Sequence, residues 1–200
     1  MGPSDFTDLI APQLDRCRGL QSLLDAALSC CLSLTGTTLG NVQLMDWTFG
    51  YLTIAAQRGF DPHFVNRFRR VSLNDGTACG RAVRDRRCVV IEDVFADGEF
   101  APYREIADQA GFRAVQSTPL ISRSGAFLGV LSTHFANRHR PTDKEALATK
   151  VLAEMTANAI IRQRIVKAGS GRANYDKQIA ASLDAVEHSW QVLRQVRPRL

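Results

Sequence analysis

The residue best placed for reactivity in this 200-residue chain is Cys79, which precedes Gly80 in the run GTACGRAVRDR. The run reads as a brief helix with small residues crowding its start. A thiol at a helix N-terminus feels the positive end of the backbone dipole, which favours the thiolate and hence nucleophilic or redox chemistry. The opposing reading, and the favoured one, is a small buried residue in a tight Ala-Cys-Gly segment, because free cysteine is among the residue types most often buried. Redox turnover also calls for a second thiol. The five cysteines, Cys17, Cys30, Cys31, Cys79 and Cys88, include no CxxC pair, and none follows Cys88. Such a set reads as reduced thiols in a cytosol.

His134 stands in the run LGVLSTHF, where alternation puts Val130, Ser132 and His134 on one strand face and Leu131, Thr133 and Phe135 on the other. An imidazole there could hydrogen-bond a ligand or change charge near neutral pH. Without a positioned carboxylate or metal partner, a satisfied structural histidine is the favoured reading. Ser117 and Thr118 sit in no nucleophile elbow, so hydrolysis has no support, although Ser117 joins Cys79 and His134 among the candidate ligand contacts. The cysteines and His63, His134, His139 and His188 lack metal-binding spacing, so no metal is expected. Better pocket candidates are Asp93, Phe95, Phe100, Tyr103 and Phe112, since a small ligand requires an apolar cavity with a few fixed polar groups. Arg67, Arg69, Arg70, Arg81, Arg84, Arg86 and Arg87 could receive an anion, but beside Asp75 and Asp85 on short helices they read as a solvated surface.

The elements that must position these residues are legible from periodicity. Leu20, Leu23, Leu24, Ala27, Leu28, Cys31 and Leu34 recur at helical spacing, predicting a helix over 19–34 that stops near Gly36. NVQLMDW and YLTIAAQRG flank Thr48-Phe49-Gly50 as a hairpin over 41–58. A short helix runs from Asp61-Pro62 to about Arg70, and GTACGRAVRDR precedes the strand CVVIEDV. Another helix, from Arg104 to Ala110, ends at Gly111. FRAVQSTPLIS and FLGVLSTHFA form a second antiparallel pair around Arg123-Ser124-Gly125. Thr142 and Glu145 make a capping box for a helix over 143–166. Strands paired antiparallel between two long helices define an α+β fold. The expected division is an N-terminal extension over 1–18, a domain over 19–166, a linker over 167–173 and an amphipathic helix over 174–200. In that last helix Ile179, Leu183, Val186, Trp190 and Leu193 are spaced as a coiled-coil seam, a stripe that either meets a partner helix or packs back against the body.

Charge narrows the function. Residues 1–161 hold 17 Lys or Arg against 17 Asp or Glu, whereas residues 162–200 hold 8 against 3. A neutral body argues against a nucleic-acid partner. No run approaches the roughly 18–20 apolar residues of a bilayer span, and the acidic N-terminus lacks a signal-peptide core, so a cytoplasmic protein without membrane partners is expected.

The phrases GTACGRAVRDRRCVVIEDV, AGFRAVQSTPLISRSGAFLGVLSTHF and RPTDKEALATKVLAEMTANAI, in that order over about 20–165, resemble the GAF domain family of small-molecule sensors. LGVLSTHF followed by RPT looks most like the GAF domains that precede the catalytic part of bacterial histidine kinases, a two-component setting. The resemblance implies an antiparallel sheet of six or so strands, terminal helices packed together on one face, and a ligand pocket beneath the crossover on the other. It also implies a homodimer through those helices and a signalling partner. One branch of the family, the free methionine sulfoxide reductases, uses a cysteine in a similar Cys-Gly phrase, which makes a thiol redox enzyme on Cys79 the rival reading. Bilin attachment would need a cysteine in the crossover, which has none, so no covalent chromophore is expected. The cyclic-nucleotide signature is met only in part, by Asn137-Arg138 and Glu145, with Pro141 where an aromatic belongs. A ligand-free module docking a partner through its tail is the third reading, and its pocket should be filled by its own side chains.

Overall fold

Alternating side chains along Leu39–Asp46 (β1) send Val42 and Leu44 to one face and Asn41, Gln43 and Met45 to the other, and the rest of the architecture follows from what covers each face. The computed structural model describes residues 3–168. Residues Met1–Ile161 form one compact unit and Arg162–Leu200 a second. The expected amphipathic helix over 174–200 lies outside the described residues, as does most of the linker over 167–173.

Two helices, α1 (Pro3–Asp15) and α2 (Leu20–Thr35), precede β1. β1 pairs antiparallel with β2 (Tyr51–Arg58), turning through Thr48-Phe49-Gly50 as expected. A bulge shifts the register so that Val42 faces Ala56 while Gln43 faces Ile54. The bulge keeps Ala56 on the side of Val42 and Ile54 on the side of Gln43. After β2 come α3 (Pro62–Arg67), β3 (Val71–Ser72), α4 (Ala78–Asp85) and β4 (Val89–Ile91). A crossover leads through a 3₁₀ turn (Ala101–Tyr103) and α5 (Arg104–Gln109) to β5 (Ala114–Ile121), β6 (Phe127–Phe135) and the long α6 (Asp143–Ala168). The sheet has six strands in the order β3-β2-β1-β6-β5-β4, all pairs antiparallel.

The Val42 face is covered by α2, stopped by the left-handed Gly36, and by α6. Leu23, Leu24 and Leu28 of α2 share one apolar cluster with Leu152, Ala157 and Ile160 of α6 and with Leu131 and Leu120 of the sheet. A true capping box starts α6: the Thr142 amide donates to Glu145 Oε2 at 2.7 Å and the Glu145 amide donates to Thr142 Oγ1 at 3.2 Å.

The expected extension over 1–18 carries the helix α1. Phe6, Ile10 and Leu14, four residues apart, are each at most 3% exposed and join the same cluster. Among the described residues no helix is long and apolar enough to cross a membrane.

Candidate functional site

The opposite face of the sheet carries the chemistry. Asn41 and Gln43 of β1, Ser132 and His134 of β6 and Ser117 of β5 form a polar stripe across its middle, flanked by Val115, Val130 and Leu52. Every residue of the stripe is buried, Gln43 and Ser117 completely. Ser117 and Ser132 satisfy each other through their hydroxyls at 2.8 Å. The rest of the stripe is not satisfied. Asn41 Oδ1, both amide atoms of Gln43 and His134 Nδ1 have no hydrogen-bond partner in the protein. Burial pushes the His134 pKa down to about 3, so its ring is neutral at physiological pH.

A roof of aromatic rings covers this floor. Asp61 caps α3 by accepting from the Phe64 amide at 2.8 Å, which brings Phe64 and Phe68 over the sheet. Phe60 stacks on Phe64 with centroids 3.8 Å apart. Phe112 meets the His134 ring edge-on at 4.7 Å, and Phe100 meets Phe112 edge-on at 6.3 Å. One side is closed by α4: Thr77 caps it by accepting from the Gly80 amide at 3.1 Å, and the Cys79 thiol lies 3.6 Å from the same hydroxyl.

The crossover is tied down by Arg81. Its guanidinium makes a bidentate pair with Asp97, one bond at 2.9 Å, while its Nε donates to the Gly76 carbonyl at 2.8 Å. Asp97 Oδ1 also accepts from the Phe100 amide at 2.9 Å, which fixes that ring in the roof. The neighbouring guanidinium holds the Asp97 carboxyl below the usual carboxylate range. Gly76 is where the crossover presses closest, since a Cβ there would lie 2.1 Å from the Glu99 carbonyl oxygen.

Between floor and roof remains a cavity of about 20 Å³, lined by Asn41, Gln43 and His134 below, Phe64, Phe68, Phe100 and Phe112 above, and Thr77, Ala78, Cys79 and Val115 at the sides. That is room for about one water molecule. The excursion of the chain does roof one side of the sheet, but aromatic side chains fill nearly all of the space.

The expected site residues divide accordingly. Cys79, Phe100, Phe112 and His134 meet around the cavity. Tyr103 packs behind the lining, against Phe68 and Phe100 with Arg67 over its ring, and Ser117 is occupied by Ser132. Asp93 and Phe95 do not line the cavity. Asp93 lies on a separate outer cleft, binding Arg113 at 3.0 Å and Arg138 at 2.6 Å, and the Arg113 hydrogen bond is the leading cause that holds its pKa at about 2. Phe95 is 39% exposed beneath the Arg113 guanidinium. Arg81 also departs from the solvated surface expected of the arginines, its side chain being only 11% exposed.

Cys79 is part-buried, and desolvation pushes its thiol pKa up, opposite to an activated thiolate. Periodicity pointed to neither Asn41 nor Gln43: NVQLM alternates polar with apolar residues, the pattern of a strand with one wet face. Among the described residues no group of three or more His, Cys, Asp or Glu side chains could hold a metal ion.

A curled antiparallel sheet with α2 and α6 on one face and a roofed polar floor on the other defines an α+β module with one helical and one enclosed side. The family model of the GAF domain matches residues 17–161, and the chain belongs to that family. Its fold is similar to the GAF domain of a phosphoenolpyruvate-protein phosphotransferase from Coxiella burnetii, at 16% identity and TM-score 0.70, over 83% of this chain and 96% of that one. It is similar also to a domain of a two-component sensor histidine kinase from Sinorhizobium meliloti 1021, at 19% identity and TM-score 0.64, over 78% and 99%. A third similar structure is the free methionine-R-sulfoxide reductase of Neisseria meningitidis, at 20% identity and TM-score 0.64, over 82% and 89%. No curated protein matches the chain.

Proposed function

We propose that this chain is a cytoplasmic sensor module that binds a small molecule between the sheet and its aromatic roof and relays the event to its helices. In this reading it works as a homodimer through the terminal helices, hands the signal to a partner protein and is not an enzyme. The observation that carries the reading is the set of unpartnered polar atoms on Asn41, Gln43 and His134. Buried polar groups are paired in the great majority of cases, and each orphan costs about 1–3 kcal/mol, so a floor holding several is built for a group that arrives. The relay has a material path, because β1, β5 and β6 carry cavity residues on one side and α2 or α6 contacts on the other. Ligand binding can move the helices only if the ligand prefers one of two arrangements. The closed roof is then the resting arrangement.

A second reading has its own support: the cavity of about 20 Å³ is what a ligand-free dimerisation module would have. Native mass spectrometry of the purified protein separates the two. A retained small molecule on a dimer supports the sensor. A bare dimer that no added compound changes supports the ligand-free module. For the thiol-redox alternative, sulfoxide reduction that is present in the wild type and lost in Cys79→Ser would overturn the non-enzymatic reading.

A further inference from the structure

We infer that the molecule received by this floor is uncharged and planar, and presents a hydrogen-bond donor and an acceptor along one edge. The inference rests on the sensor reading and narrows it to a class of ligand, amide-edged heterocycles and aromatic amides.

The edge follows from the orphaned atoms. Gln43 offers a free amide N–H and a free carbonyl from one fully buried side chain, a complementary pair for a lactam or carboxamide. Asn41, two residues along β1 and therefore on the same face, adds an acceptor, and His134 on the neighbouring β6 adds its Nδ1. A hydrocarbon would leave all of these unpaired, which is the costly outcome.

The absence of charge follows from the lining. None of the cavity-lining side chains is Lys, Arg, Asp or Glu, and His134 is held neutral by its burial. A carboxylate, phosphate or ammonium there would be a buried charge with no partner. The guanidinium of Arg81, which closes α4 against the crossover, is committed to Asp97 and the Gly76 carbonyl.

Planarity follows from the roof. Phe64, Phe68, Phe100 and Phe112 present ring faces and edges, which pack well against another flat ring. A ring does not fit into about 20 Å³, so the roof must give way. Its movable parts are peripheral: Phe64 sits on a six-residue helix, and Phe100 stands in the crossover. The floor, by contrast, belongs to two central strands of the sheet.

The test uses the full chain and five probes: uracil and nicotinamide, their carboxylate relatives orotate and nicotinate, and toluene. Ligand-observed NMR and calorimetry read binding to the wild type, Gln43→Leu and Gln43→Met. The expected result is that uracil or nicotinamide binds at least tenfold tighter than its carboxylate relative, and that both variants lose this preference. The ligand-free variants should melt about 2–4 °C higher than the wild type, since an orphaned amide has been removed. That rise distinguishes a ligand-facing Gln43 from a merely structural one, whose replacement would lower the melting point and overturn the inference. Equal or tighter binding of orotate or nicotinate, or binding of toluene alone, overturns the chemical class and leaves the sensor standing. If no probe registers, the native mass spectrum decides. A retained uncharged molecule with a donor–acceptor edge upholds the class, a retained charged one overturns it alone, and an empty protein overturns the class and the sensor together.

Discussion

Gln116 of β5 donates its side-chain amide to the hydroxyl of Thr149 on α6 at 2.9 Å, with both residues no more than 1% exposed. Ser117, the next residue, faces the opposite side and holds Ser132 beneath the aromatic roof. One strand thus links the candidate ligand floor to the long C-terminal helix. The Thr149 hydroxyl in turn donates to the Glu145 carbonyl, so the contact is built into the helix. Removing the acceptor with Thr149→Val should cost about 1 kcal/mol, because the Gln116 amide keeps only its longer bond to the Thr118 hydroxyl at 3.4 Å. Adding Gln116→Leu should recover much of that loss, and a double-mutant cycle in urea measures the coupling.

Stability should fall with acid in two separable windows. His134 is depressed from 6.5 to about 3 in the folded protein, so the unfolded chain binds the extra proton between those values. Stability therefore rises with pH across that window, by roughly 1.4 kcal/mol per unit from this one group. Urea titrations from pH 4 to 7 should show that slope in the wild type, and His134→Phe should flatten it.

The Arg81–Asp97 clamp acts lower on the scale. Asp97 is depressed from 3.8, so its contribution is present above that value and is lost as pH falls through the lower folded pKa. Asp97→Asn should cost about 1–3 kcal/mol at pH 7, and the gap from the wild type should narrow as pH falls below 3.8, because the substitution removes a charge-assisted bond that acid also removes. It should also loosen Phe100, whose amide Asp97 holds, visible as faster hydrogen exchange in the crossover.

Gly76→Ala should displace the crossover, since the new methyl group would meet the Glu99 carbonyl at 2.1 Å. A loss of about 1–3 kcal/mol is expected from the forced backbone shift. Thermal melting of this variant checks the value, and unchanged stability would mean that the crossover is not pressed against α4 as described.

Thiol labelling should follow exposure. Cys88 is exposed, whereas Cys31 is buried with its pKa pushed up to about 12 and Cys79 is raised by burial. Ellman's reagent at pH 8 should modify Cys88 first in the native protein and leave Cys79 and Cys31 unmodified until it unfolds. Rapid native labelling of Cys79, tracked by peptide mass mapping, would contradict the burial described.

Much of the architecture could be read from the chain alone. The hairpin at Thr48–Gly50, the caps at Asp61 and Thr142, the stop at Gly36 and the pairing of FRAVQSTPLIS with FLGVLSTHFA are local signals, made by residues within a few positions of one another. The helix at Pro3–Asp15 had a signal too, in the fourfold spacing of Phe6, Ile10 and Leu14, though one obscured by Asp8 and by the helix-breaking Pro12 between them.

Alternation along the chain settles which residues share a face: Asn41 with Gln43, and Val130 with Ser132 and His134. A period of two cannot say what lies opposite that face. The folded molecule supplies the answer, by bringing Phe64, Phe68, Phe100 and Phe112 from three separate segments over the polar stripe. The same return of the chain drew Asp93 and Phe95 to an outer surface, where Arg113 and Arg138 hold the carboxylate. A strand pattern that would read as wet became a buried floor whose polar atoms the protein does not pair, because burial belongs to the covering layer and not to the strand.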